Sequence, residues 1–109
     1  MKADIQISNL FSIFVLRCQE MVNEHYGKNF PILTPPKLTV NEGRRYWKVV
    51  VTHDGGNCQA VVFAFVDKDD GAVYKPATWR APAKHARGNV VEEKISDFMT
   101  PHGPVYLEN

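Results

Sequence analysis

Between Cys58 and Val66 the chain runs almost without a polar break, CQAVVFAFV, and a tight-turn signal stands on either side of it. Before it comes Asp54-Gly55-Gly56-Asn57; after it comes Asp67 to Gly71, DKDDG. A short apolar run bounded by turns suits a central strand covered on both faces. The preceding segment, Arg44 to His53, alternates and is rich in β-formers: Tyr46, Trp47, Val49, Val50, Val51 and Thr52. Lys37 to Asn41 is a shorter half-apolar strand closed by a turn at Glu42-Gly43, and Ala72 to Lys75 is a fourth. Loops this short join antiparallel neighbours, because a parallel crossover needs about a dozen residues or more. The expectation is a three- to four-stranded antiparallel β meander.

A helix precedes it. Leu10, Phe11, Phe14, Val15, Cys18, Met21, Val22 and His25 recur at steps of three and four, which puts them on one face of a helix over residues 8–26. Ser8 or Asn9 can cap its start, and Gly27 stands where a helix commonly ends. Arg17, Glu20 and Glu24 face water. This face packs on the sheet, and its width predicts that part of it is shared in a homodimer. Residues 28–36, KNFPILTPP, carry three prolines and form a linker whose Phe30, Ile32 and Leu33 are expected to pack back on the core. Val91 to Met99 predicts a second, short helix, capped by Asn89 and stopped by Pro101, with a loosely held tail after it. The whole reads as one α+β domain, residues 1–109, with the N-terminal amphipathic helix on one face of the sheet.

Charge and ligand chemistry narrow the function. Thirteen Lys and Arg against 12 Asp and Glu give a net charge of +1, so a uniformly basic nucleic-acid coat is excluded. Cys18 and Cys58 lie far apart without CxxC spacing and read as two buried thiols, not as a disulfide framework. His25, His53, His85 and His102 are scattered, so no metal site and no cofactor are expected. No apolar run approaches the length of a membrane span, and the N-terminus has no signal-peptide pattern. A cytoplasmic setting without membrane contact follows.

The informative stretch is Tyr74 to Val90, YKPATWRAPAKHARGNV, which contains no acidic residue. It holds Lys75, Arg80, Lys84, Arg87 and His85, and two prolines interrupt it. It reads as an ordered, proline-stiffened loop beside the sheet edge and not as a strand. Arginine grips phosphate oxygens with a planar fork, and Trp79 offers a face on which a base can stack. Gly88 lets a ligand approach the backbone, and Asn89 leads into a helix start whose N–H groups favour anions. Arg44, Tyr46 and Lys48 share one face of their strand; if that strand lies beside the Tyr74 segment, the two cationic groups merge into one patch. The expected site is therefore Tyr74, Lys75, Trp79, Arg80, Lys84, His85, Arg87, Gly88 and Asn89, with Arg44 and Lys48. His53-Asp54 and His85 are the only acid–base candidates, and no triad, P-loop or metalloprotease motif accompanies them, so a non-enzyme is expected.

The string W-R-A-P-A-K-H-A-R-G-N, preceded by F-V-D-K-x-x-G-x-V-Y-K, resembles a recurring signature of small proteins encoded by tailed bacteriophages. The resemblance spans Ala64 to Val90 and implies expression in the cytoplasm of an infected bacterium. With it, the leading expectation is non-catalytic binding of a nucleotide-type anion, in its most concrete form a sponge for a host immune cyclic nucleotide signal. The alternatives are binding of single-stranded nucleic acid and a protein-binding inhibitor module.

Overall fold

The computed structural model describes residues 2–52, 60–92 and 94–105, with side chains from residue 7 onward. Helix α1 (Lys2–Asn29) is followed by β1 (Lys37–Glu42), β2 (Tyr46–Thr52), β3 (Ala60–Asp67), β4 (Ala72–Pro76) and β5 (Pro82–Asn89). A short helix α2 (Ile95–Phe98) and a two-residue pair, β6 (Met99–Thr100) and β7 (Gly103–Pro104), close the described chain. The five longer strands form one antiparallel sheet in chain order, β1-β2-β3-β4-β5. The α+β reading with an N-terminal helix on an antiparallel sheet and a short C-terminal helix therefore stands, with one strand more than expected.

Helix α1 outruns its expected end at Gly27 and stops at Asn29. Pro31 is the physical stop: its ring excludes the helical conformation from the residue before it and it cannot donate a hydrogen bond. The Asn29 amide donates to the His25 carbonyl at 2.9 Å, covering one of the orphan acceptors of the last turn. Ile7, Phe11, Phe14, Cys18 and Val22 form the buried face of α1. Beneath them lie Val49, Ala64, Val66 and Val73 of the sheet, with Phe98 of α2 at one end. Trp47 stacks on Phe11 with ring centroids 4.2 Å apart and planes 8° apart. Gln19 ties α1 to the sheet edge. Its side-chain oxygen accepts from the Leu38 N–H at 2.8 Å, and its nitrogen donates to the Pro36 carbonyl at 3.0 Å. A helix side chain thus occupies part of the unpaired edge of β1.

Four expectations are corrected. The second half of the Tyr74 to Val90 stretch is not a loop but strand β5, paired with β4 through Val73↔Gly88 and Tyr74↔Ala86. The prolines misled because Pro76 and Pro82 face each other where the hairpin opens, and proline is tolerated at the start of an edge strand. The helix expected over Val91 to Met99 shrinks to Ile95–Phe98, because Asn89 builds a turn instead. Its side-chain oxygen accepts from the N–H groups of Val91 and Glu92, and its amide donates to the Asp70 carbonyl. The tail is tied down as far as Val105: Gly103 and Pro104 are buried, and the Val105 N–H donates to the Phe98 carbonyl. Finally, Phe30, Ile32 and Leu33 do not return to the core; Ile32 is 96% exposed. The turn expected at Asp54 to Asn57, with His53 and Cys58, lies outside the described residues.

Candidate functional site

Helix α1 covers one face of the sheet, so alternate strand residues are left for the other. On that open face the register sets Lys48 opposite Phe65, Phe65 opposite Tyr74 and Tyr74 opposite Ala86. The rings of Tyr46 and Phe65 meet edge to face at 5.9 Å, and those of Tyr46 and Tyr74 at 6.1 Å. Together they make an aromatic floor in which Phe65 is buried and Tyr46 and Tyr74 are half-buried.

The tip of the β4–β5 hairpin, residues 77–81, comes back toward this floor. Its backbone is locked by the Ala77 and Thr78 N–H groups donating to the Ala81 carbonyl. The Thr78 hydroxyl oxygen accepts from the N–H groups of Arg80 and Ala81. This turn presents Trp79, 46% exposed, with the Lys48 ammonium 4.2 Å from its ring centre. Arg80 enters a concavity of about 330 Å³ with Arg44, Arg45, Tyr46, Lys48 and Phe65.

Charge in this groove is unevenly compensated. Glu42 pairs with Lys68 at 2.7 Å, and Asp67 with Arg45 at 3.4 Å. Among the described residues, Arg44, Lys48 and Arg80 have no carboxylate partner. The Arg45 guanidinium is held further in its charged form by Tyr46 and then Asp67, while burial raises the Tyr74 phenol above its ordinary value. Tyr74 thus stays neutral and adds no anion to the groove.

The structure brings together Arg44, Lys48, Trp79 and Arg80 of the expected site, with Tyr74 at the margin of the floor. The route differs from the one anticipated. Strand β3 separates β2 from β4, and the two basic stretches meet because the hairpin tip reaches over. The remaining residues go elsewhere. Lys84 and His85 are exposed on β5, the sheet edge. Arg87 donates to the His85 carbonyl, and its Nε is buried without a partner. Alternation places Lys75 on the face of Val73, away from the Tyr74 ring, and burial followed by the charge of Arg87 lowers its pKa. Gly88 is buried for packing: a Cβ there would stand 2.1 Å from Cγ of Phe98. Asn89 spends its side chain on the turn described above.

Sequence reasoning missed Arg45 and Phe65. Phe65 was hidden inside an apolar run that reads as core throughout. The available signal was register: pairing across the β2–β3 hairpin puts it opposite Lys48.

These features define a class: a small α+β domain with a helix on one face of an antiparallel sheet and a basic, aromatic groove on the other. The chain matches the model of the Family of unknown function (DUF7717) over residues 6–102, and it belongs to that family. No curated protein and no solved structure matches it. Among the described residues no group of three or more His, Cys, Asp or Glu is arranged to hold a metal ion, and no helix is long and apolar enough to cross a membrane.

Proposed function

We propose that this protein binds an anionic, nucleotide-type ligand, without catalysis, in the groove on the open face of the sheet. One observation carries the reading: the Lys48 ammonium rests on the Trp79 ring while Arg44 and Arg80 line the same groove without carboxylate partners. Cations left unpaired beside a half-exposed aromatic suit a ligand that brings both a phosphate and a flat ring. Taken with the resemblance of its Ala64 to Val90 stretch to a signature of phage-encoded proteins, the concrete role proposed is a sponge in the cytoplasm of an infected bacterium that sequesters a host cyclic nucleotide signal. The Phe-rich face of α1 expected to be shared in a homodimer is taken up by the sheet at Phe11, Phe14, Cys18 and Val22, so a homodimer for such a sponge would use the exposed Ile13 and Leu16 instead, which sedimentation at micromolar concentration tests.

Single-stranded nucleic acid is the second reading. It is favoured by the position of the groove on an uncovered sheet face, where Tyr46 and Tyr74 are only half-buried.

Titration with cyclic dinucleotides, short oligonucleotides and inorganic phosphate tests the proposal. Arg80→Ala or Arg44→Ala should weaken binding roughly tenfold or more, the scale of one charge-assisted hydrogen bond. Both variants should keep the parent melting temperature, since exposed substitutions usually change stability by less than about 0.5 kcal/mol. Unchanged affinity in both variants overturns it.

A further inference from the structure

A second concavity, of about 300 Å³, lies on the other side of Trp79. Val61, Val62, Pro76, Ala77 and the indole itself line it, and among the described residues no charged side chain does. Val61 is 54% exposed, so this apolar shelf opens to solvent. Among the described residues the one polar side chain in its lining, Thr78, already has its hydroxyl oxygen engaged by two backbone N–H groups of the hairpin tip.

We infer that the shelf is the base subsite of the ligand and the neighbouring cationic groove its phosphate subsite, so that one nucleotide unit spans both. This inference rests on the reading proposed above. Three features join the two halves. Trp79 walls the shelf and Arg80, the next residue, lines the groove. Lys48 lines the groove and also touches the Trp79 ring. The hairpin tip that carries both is held by its own hydrogen bonds and by the facing prolines Pro76 and Pro82, so little ordering is required when a ligand arrives.

The chemistry also predicts what the site does not read. Among the described residues the shelf presents carbon surface and an indole, with no free hydrogen-bonding side chain in its lining. Stacking on such a surface tolerates every base, because every base has a π-face. The ligand class is therefore a nucleotide recognised by its phosphate and its flatness. It is either free or one unit of a single strand, and base identity has little effect.

The test uses the full chain carrying Trp47→Phe, so that Trp79 is the only indole that emits. The probes are ribose 5-phosphate, adenosine 5′-monophosphate, uridine 5′-monophosphate and a short oligothymidylate. Both monophosphates should quench Trp79 and bind about tenfold or more tightly than ribose 5-phosphate, which binds without quenching. Val61→Asp should abolish that gain and leave ribose 5-phosphate binding as it was. Val61→Thr, close in shape to the parent, serves as the second variant and should reduce the gain partly. Oligothymidylate binding well above the monophosphates identifies a strand as the source of the nucleotide, and equal binding identifies the free form. If ribose 5-phosphate binds but a base adds nothing, or if Val61→Asp alters only sedimentation, the shelf is not a base subsite and the groove reading survives alone. If ribose 5-phosphate and all the nucleotides fail to bind, the groove reading falls as well.

Discussion

The two tryptophans of this chain sit on opposite faces of one sheet and do opposite work. Trp47 lies flat against Phe11 of α1 and is half-buried against the core, with the Lys68 ammonium 5.7 Å from its ring centre. Trp79 is 46% exposed and carries a lysine ammonium on its ring. The residue that reaches Trp79 is Lys48, the immediate neighbour of Trp47. Alternation along β2 thus sends one side chain to the helix and the next to the open face. Residue type did not decide which indole became scaffold; the parity of the strand and the path of one hairpin did.

The sharpest way to break the contrast is truncation. Trp47→Ala should cost about 2–3 kcal/mol of folding stability, below the range for a fully buried aromatic because Trp47 is half-buried. Trp47→Phe keeps a ring against Phe11 and should cost far less. Urea unfolding followed by circular dichroism checks both, and a loss in Trp47→Ala no larger than that of Trp47→Phe would contradict the packing described.

Gly88 tests the same face from the far edge of the sheet. Its missing Cβ is replaced by the Phe98 ring, with three ring carbons within 2.5 Å of where a Cβ would stand. Gly88→Ala forces that ring or strand β5 to move and should destabilise by about 1–3 kcal/mol. Lys84→Ala on the same strand, exposed, should stay within about 0.5 kcal/mol. Combining Gly88→Ala with Phe98→Ala should give less than the sum of the single losses, because the second change removes the clash. Additive losses would show that the glycine serves something other than the ring.

Cys18 adds a pH dependence from inside the core. It is 1% exposed, and burial pushes its thiol up to about 12 from 9.0. The folded chain keeps this proton where the unfolded chain releases it. The stability it contributes is therefore complete below pH 9 and is lost as pH rises toward 12, at about 1.4 kcal/mol per unit. Denaturation midpoints at pH 8, 9.5 and 10.5 should fall more steeply for the parent than for Cys18→Ala. Parallel curves would mean that Cys18 does not titrate in this way.

Much of the core was legible in advance. The spacing of Phe11, Phe14, Cys18 and Val22 identified the buried helix face because a 3.6-residue period leaves few alternatives. The meander was legible because its turns are too short for crossovers. Strand β5 was not. Its sequence, PAKHARGN, holds one proline, one glycine, two cations and a histidine, and its strand conformation comes from pairing with β4, a tertiary cause that local propensity does not carry. The site was half legible for the same reason. Composition flagged Arg80 and Trp79, which the fold brings beside Arg44 and Lys48, but it grouped them with Lys84 and Arg87, which strand geometry sends to the sheet edge. Gly88 and Asn89 looked like ligand-binding residues because packing a ring and building a turn call for the same residue types as cradling an anion.

Trp79 has a small expected stability effect beside Trp47, and it is the one that tests the division of labour directly. Its indole gives nearly half its surface to water and contacts the flexible end of Lys48. Trp79→Ala should therefore shift folding stability by no more than about 0.5–1 kcal/mol, the scale of an exposed cation–π contact. The same variant should lose about 1–3 kcal/mol of affinity for a nucleotide, the scale of one base stacked on an aromatic side chain. Trp79→Phe should recover part of that affinity, since a smaller ring still offers a face. The measurement is a pair of titrations, denaturant for folding and adenosine 5′-monophosphate for binding, on the same preparations. If folding moves by several kcal/mol while affinity stays intact, Trp79 is scaffold like Trp47, and the groove is left with its cations alone.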